Sequence, residues 1–416
     1  MHEIFPMGFW GTQAIDDVPL SDVADWAACG MTLTVAPHYA PDPERKKKLL
    51  ALLDECHAHG IRLILSDSRT TWHGAASDPE GYRAKVAEAV ADFGSHPAVF
   101  GFHLGDEPRH DSFADIKAAA AIQLELAPHL TPYLNHFPGW HVHLPLWGCE
   151  SFTEWTHEVI PSLGVPLISF DNYTQMNPFG NGEGVDAYYN SLRVFSEAAA
   201  VMNVPFWSIV LSVGHFRYRC PNEDDIRWQL YTSVIHGAKG IIWFYYRMMR
   251  SHINYRNAPV NELGEKTETW TWLSRQLRLF HKTYGALMMR LTHRASWHLG
   301  RAYGGWESWE DGVHTYVKHF TSDHGLHGVI SRFTDEKDNE YVAILNNDQK
   351  ESGMFHLVLN TSVKRIWRIC FGGVEHDVAT DHWDANYRIT EDGNIISGTW
   401  LAPGQMEIYR LEIDER

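Results

Sequence analysis

The feature that most constrains this chain is an alternation. Eight short apolar runs recur, each followed by a stretch of helical character. The runs are 4–10, 31–35, 61–65, 99–108, 131–135, 166–170, 205–212 and 240–246. They lack a clean in/out alternation, as expected of strands covered on both faces. The intervening stretches carry helix punctuation. Ser21 and Gly30 bracket one helix, and Asp78-Pro79 supplies an N-cap and a first-turn proline ahead of Tyr82, Val86, Val90 and Phe93. Leu49, Leu50, Leu53 and Cys56 form an apolar stripe that stops at Gly60, and Asn222 opens a helix to His236. Eight such units are the count of the α/β fold known as the (β/α)8 TIM barrel. A doubly wound sheet is the runner-up, but no GxGxxG follows the first run.

Beyond residue 294 the pattern changes to short β-rich runs: 313–318, 341–346, 355–359, 363–371 and 406–413. Gly372-Gly373, Asp392-Gly393 and Pro403-Gly404 are turn signals between them. The expected organisation is a barrel catalytic domain over 1–294, followed by a smaller C-terminal β-sandwich accessory domain over 295–416.

Composition excludes several functions. A formal net charge of -17 leaves no basic face for nucleic acid. No run of about 18 apolar residues exists to span a membrane. The first residues show no basic segment followed by an apolar core, so no signal peptide is expected. Five scattered cysteines without a CxxC pair point the same way, to a reducing, cytoplasmic setting. No GxSxG elbow or P-loop is present.

In a barrel the C-terminal strand ends converge on one face. The fourth run stops there on two adjacent acids, Asp106 and Glu107, before Pro108. The other strand ends contribute Trp10, Asp67, Asn135, His136, Asp171, Tyr173, His215, Trp243 and Tyr245. Acids, amides and aromatics are the materials of a sugar site. Indole and phenol faces cover a pyranose, and two carboxylates suffice for glycoside hydrolysis. Adjacent like charges, Asp106 beside Glu107, raise one pKa of the pair, which suits a general acid. Trp supplies 17 of the residues, in keeping with a sugar cleft or a large aromatic core. His141-Val-His143, with His103 and His136 near in the chain, raises a metal site. The HxH that such a barrel wants after its first strand is replaced by Phe9-Trp10-Gly11. No metal and no cofactor are therefore expected.

Four segments in order, Phe102-His-Leu-Gly-Asp-Glu-Pro108, Pro132-Tyr-Leu-Asn-His-Phe-Pro138, Ile168-Ser-Phe-Asp-Asn-Tyr173 and His236-Gly-Ala-Lys-Gly-Ile-Ile-Trp-Phe244, carry a resemblance. The chain resembles the clan A barrel glycoside hydrolases, most of all the family 42 β-galactosidase-like branch and bacterial relatives with a Gly-Asp-Glu-Pro strand end. The resemblance implies an oligo- or polysaccharide or other glycoside as substrate, Glu107 as acid/base, retention of configuration, and assembly into a homo-oligomer. It also implies a nucleophilic Glu at the end of strand seven. That strand instead ends Trp207-Ser-Ile-Val-Leu-Ser-Val-Gly-His215, without a carboxylate. Asp171 is the remaining candidate, and Asp106 stands where the clan has Asn. Two rival readings stay open: a non-catalytic carbohydrate-binding barrel that lost its nucleophile, and a metal-dependent barrel isomerase or hydrolase.

Overall fold

The computed structural model describes residues 4–11, 13–177, 182–248, 254–380 and 386–414. Eight parallel strands form one sheet: β1 (Met7–Phe9), β2 (Leu33–Val35), β3 (Arg62–Leu65), β4 (Val99–Asp106), β5 (Thr131–His136), β6 (Ile168–Asp171), β7 (Phe206–Leu211) and β8 (Ile241–Phe244). From β2 to β8 each pairs with its neighbour in sequence, and β8 pairs with β1. The remaining seam, between β1 and β2, is closed largely by threonine hydroxyls. Thr32 donates its N–H to Met7 O at 2.8 Å, and its Oγ1 accepts the Met7 N–H at 3.0 Å. Thr34 Oγ1 donates to Phe9 O at 2.7 Å. Gly8 stands at this seam, where a Cβ would fall 2.2 Å from Leu33 O. The sheet is thus the expected TIM barrel, with helices between its strands.

The barrel interior is filled by Leu33, Val35, Ile64, Tyr133, Leu167, Trp207, Ile209 and Ile242, with Trp10, Phe100, Tyr173 and Phe244 packed against them. Two helix starts follow the sequence signals, whereas the Ser21 side chain makes no cap hydrogen bond to the helix it precedes. Asp78 accepts the Gly81 N–H, and Asn222 and Asp225 cap one another's backbone. Among the described residues no helix is long and apolar enough to cross a membrane.

The chain forms two compact units. One comprises Pro6–Cys220 and Gly240–Leu277; the other comprises Met1–Phe5, Pro221–Lys239 and Arg278–Arg416. In the second unit a seven-stranded and a four-stranded sheet share one core. Trp297, Ile330, Val342 and Ile344 from the larger sheet meet Phe320, Phe355, Leu357 and Ile395 from the smaller. The strands Thr292–Leu299 and Gly328–Thr334 fall outside the β-rich runs of the sequence. The first is interrupted by His293, Arg294, Ser296 and His298, which hide its period. The helix Glu223–Ile235 also belongs to this unit. Its Trp228 donates to Asn347 Oδ1 at 2.9 Å and lies so close to Gly404 that a Cβ there would meet Trp228 Cα at 2.4 Å.

Buried histidines in this unit form a neutral chain. His236 Nδ1 lies 2.7 Å from Thr232 O and Nε2 lies 3.1 Å from His298 Nε2. A carbonyl only accepts, so His236 carries its proton on Nδ1 and receives at Nε2 from His298. Burial pushes His236 down to about 4 and His293 down to about 3, and lowers His298 well below its usual range. These groups stay neutral when folded but charge near 6.5 when unfolded, so stability present above that pH is lost as pH falls. The slope is at most about 1.4 kcal/mol per pH unit for each histidine. Denaturant unfolding at pH 7 and pH 5 should show His298→Gln less stable at pH 7 but with a shallower acid dependence than wild type. Parallel pH dependences would contradict this assignment.

Candidate active site

The site is built at the end of β4. The β4–β5 register shifts between His103 and Gly105, so a bulge precedes the acids. Gly105 has φ 156, and a Cβ on it would sit 2.1 Å from the Trp72 ring. Both facts require glycine there. Two residues on, Glu107 adopts φ 48, and its N–H donates to Asn135 O at 2.9 Å. Bulge and left-handed residue together turn Glu107 out of the strand's in/out alternation. The half-exposed Glu107 carboxyl is pushed up to about 7, first by burial and then by the charge of Asp106. Asp106 meets solvent, but in a recess where the surrounding protein raises its pKa too.

Asn135 ties the acids together. Its Nδ2 donates to Asp106 Oδ1 at 2.9 Å and to Asp171 Oδ1 at 3.0 Å. Ser169 Oγ donates to Asn135 Oδ1 at 3.2 Å, and Tyr133 OH lies 2.8 Å from Ser169 Oγ. With the Ser169 proton committed to the amide, Tyr133 is the donor to Ser169. This relay fixes which end of the amide faces the carboxylates. Asp171 is buried, and its pKa is raised well above the ordinary value by burial, then by Glu107 and Asp106. Tyr173 is raised by burial and by all three acids; Tyr218 is raised by burial, Asp171 and Glu107. Both phenols therefore stand within electrostatic reach of the carboxylates.

The structure brings Glu107, Asp106, Asn135, Asp171 and Tyr173 together. Trp10 lies on the same interior wall, 5.3 Å from His103 and 6.5 Å from Tyr133. His215 joins through Tyr173, with ring centroids 5.6 Å apart. Four other candidates lie elsewhere. Asp67 is 1% exposed and held by Arg69, whose Nη2 and Nε donate to it at 2.8 and 3.1 Å. Its acceptors serve an ion pair, not a ligand. His136 is directed into the helix layer, between Trp155 at 5.6 Å and Phe195 at 5.8 Å. The reason is strand alternation: Tyr133 and Asn135 face the barrel interior, so Leu134 and His136 face away. Trp243 alternates likewise with Ile242 and Phe244, which join the interior cluster, and it is fully buried. Tyr245 is fully buried among Met176, Leu211, Val213, Met248 and Ala258, with no face left for a sugar.

Sequence reading missed Tyr133 and Ser169, whose polar atoms sit inside apolar runs. It also missed Tyr218, which lies on a loop, and Trp72, for which Gly105 was the available signal. His143 Nδ1 lies 2.7 Å from Pro138 O, and its ring stacks on Trp140 at 5.0 Å. A carbonyl partner makes Nδ1 the donor. Among the described residues no group of three or more His, Cys, Asp or Glu is disposed to hold a metal.

No family model matches the chain, and no curated protein does. Solved structures do. The β-galactosidase from the psychrophilic Marinomonas ef1 aligns with TM-score 0.50 at 12% identity, over 66% of this chain and 59% of that one. A family 39 glycoside hydrolase from the gut symbiont Bacteroides cellulosilyticus WH2 gives 0.54 at 12% identity, over 99% and 81%. The β-galactosidase from Rahnella sp. R3 gives 0.53 at 13% identity, over 70% and 58%. The fold is shared with glycoside hydrolases. This chain spans less than two thirds of the two β-galactosidases.

Three acids with raised pKa values make the site a stability liability at neutral and alkaline pH. A carboxyl whose folded pKa is raised contributes its full stability at low pH and loses it as pH climbs through the folded value. Glu107→Gln and Asp171→Asn should therefore raise the melting temperature at pH 8, with the gain fading towards pH 4. Melting curves across that range check it, and a gain independent of pH would contradict it.

Proposed function

We propose that this protein is a glycoside hydrolase cleaving O-glycosidic bonds, with Glu107 as general acid/base and Asp171 as its carboxylate partner. The observation that carries the reading is Glu107 itself. It is a half-exposed carboxyl at the C-terminal end of a barrel strand, titrating at about 7, beside a buried carboxylate and an aromatic wall. A carboxyl tuned to that range keeps a proton at neutral pH and can deliver it to a leaving glycosidic oxygen.

The assignment of roles rests on Asn135. Hydrogen bonds from an amide favour the ionised form of a carboxylate. Asn135 supplies one each to Asp171 and Asp106, which works against the burial that raises Asp171, and we assign the shared proton to Glu107 on that ground. Asp171 then acts on the anomeric carbon. In the retaining course implied by the clan A resemblance it attacks directly, and Glu107 returns as base to activate water against the glycosyl-enzyme. Asp106 and Tyr173 bind sugar hydroxyls, while Trp10 supplies an apolar face. The Gly-Asp-Glu-Pro end of β4 favours the family 42-like branch. The substrate is an oligo- or polysaccharide or another glycoside.

One observation favours the second reading, a carbohydrate-binding barrel without turnover: β7 leads into Ser212-Val213-Gly214-His215, with no acid. A panel of aryl glycosides in both anomers, with natural disaccharides, separates the two. We expect turnover by wild type and a loss in Glu107→Gln of about 10²- to 10⁴-fold on a disaccharide. The acid must be protonated, so kcat/KM should fall as pH rises through about 7, and that limb should vanish in Glu107→Gln. Sugar binding without turnover would establish the second reading. Activity indifferent to Glu107→Gln would overturn the site.

A further inference from the structure

The loops after β7 and β8 are zipped together. Gly214 N–H donates to Arg256 O at 2.9 Å and Arg256 N–H returns to Gly214 O at 2.7 Å. Arg256 Nη2 donates to Tyr218 O at 3.0 Å. Gly214 is needed for this approach, because a Cβ would fall 2.5 Å from Cys220 Sγ. On this braced platform the rings form a row. Tyr173 lies 5.9 Å from Tyr218, Tyr218 lies 5.2 Å from His215, and His215 stacks face to face on Tyr255 at 5.1 Å with planes 4° apart. The row ends on Phe216, 5.0 Å from His215 and 6.0 Å from Tyr255.

Phe216 is anomalous in two independent ways. Its side chain is 62% exposed, and its backbone has φ 48, a region that bulky residues rarely occupy. The strained backbone is anchored by the Phe216 N–H, which donates to Asn254 Oδ1. A polar residue would serve an exposed loop better, and glycine would remove the strain. Packing on His215 and Tyr255 covers only part of the ring, and the larger part is left in water. Strain held at a solvent-facing group beside a candidate site points to a ligand. At the other end of the same row, Tyr218 and Tyr173 feel the charges of Asp171 and Glu107. A row of rings therefore runs from the exposed ring to Tyr218 and Tyr173, which lie within electrostatic reach of the carboxylates.

We propose that Phe216, backed by His215 and Tyr255, is the platform of a second saccharide subsite, and that the natural substrate carries at least two sugar units. The inference rests on the glycoside hydrolase reading of the carboxylate cluster. One sugar lies over the acids, and the next lays the C–H face of its ring on the phenyl. Asn254 and the phenols of Tyr218 and Tyr255 are the polar groups at hand for its hydroxyls. A ring that grips only the second unit makes its binding energy available to long substrates and withholds it from short ones.

The test compares two substrates of whichever sugar the aryl panel identifies: its glycosyl fluoride, which has one sugar unit, and its trisaccharide. In Phe216→Ala the ratio of kcat/KM for trisaccharide over fluoride should fall about tenfold, through KM. Phe216→Tyr should restore it. Phe216→Gly relieves the backbone, so it should melt no lower than wild type while losing the same selectivity. A ratio unchanged in Phe216→Ala, or lost only in variants that melt lower, overturns the proposal. If wild type turns over neither substrate, the hydrolase reading fails, and calorimetric binding decides the subsite separately. Cellotriose, maltotriose and β-1,4-galactotriose would be titrated against their monosaccharides. A preference for a trisaccharide that Phe216→Ala removes would sustain the subsite. No such preference, or one that Phe216→Ala leaves intact, would end it.

Discussion

The site depends on one amide nitrogen. Asn135 Nδ2 holds Asp106 on β4 and Asp171 on β6 at once, from the strand between them. Two carboxylates drawn to a single donor repel one another, and Glu107 adds a third. Such a cluster persists only if the surrounding structure dictates it. The dictating features are the parallel register of three adjacent strands and the Tyr133–Ser169 relay that keeps the amide from turning over. A one-residue slip of β5 would send Asn135 to the helix layer and bring His136 inward.

That same alternation explains which site residues were legible in the sequence. Glu107 and Asp106 end an apolar run against a proline, so both their strand and their end of it could be read. Asp171 and Tyr173 follow from the same reasoning at β6. At the end of β5, however, Asn135 and His136 are neighbours of equal chemical promise, and nothing in the run itself says which faces inward. Trp243 and Tyr245 suffer similarly: an aromatic in a buried strand looks the same whether it lines the barrel or the helix layer. Asp67 was misplaced for a different reason. Its partner Arg69 is two residues away, but whether the pair closes on itself or opens to a ligand is decided by the fold. The barrel was readable as eight units because each needs its own apolar strand and capped helix. The β-domain was less so, since His298, Ser296 and Ser331, buried on the face opposite the core residues Trp297 and Ile330, break the period of its strands.

Loop residues were the least legible. Phe216 and Tyr218 sit between β7 and the helix at Glu223, where no periodicity applies, and their roles emerge only once the two loops are seen zipped through Gly214 and Arg256. Trp72 was in principle recoverable. A glycine directly before a pair of acids signals a bulge or a close approach, and here it marks both.

The tip of β7 shows why an acid would sit poorly there in this chain. Leu211 and Val213 are wholly buried with Met176, Tyr245 and Met248, and Ser212 Oγ donates to Tyr245 O at 3.0 Å. A carboxylate at those positions would be buried among mainly apolar side chains, and its charge would be costly. Asp171, level with Ile209 on the adjoining strand, has what that tip lacks: an amide N–H donated to one oxygen. Asp106 and Asp171 lie on the two strands that flank β5, so a single β5 residue, Asn135, braces both. Beyond that tip, His215 stacks on Tyr255, so the loop after β7 presents aromatic rings.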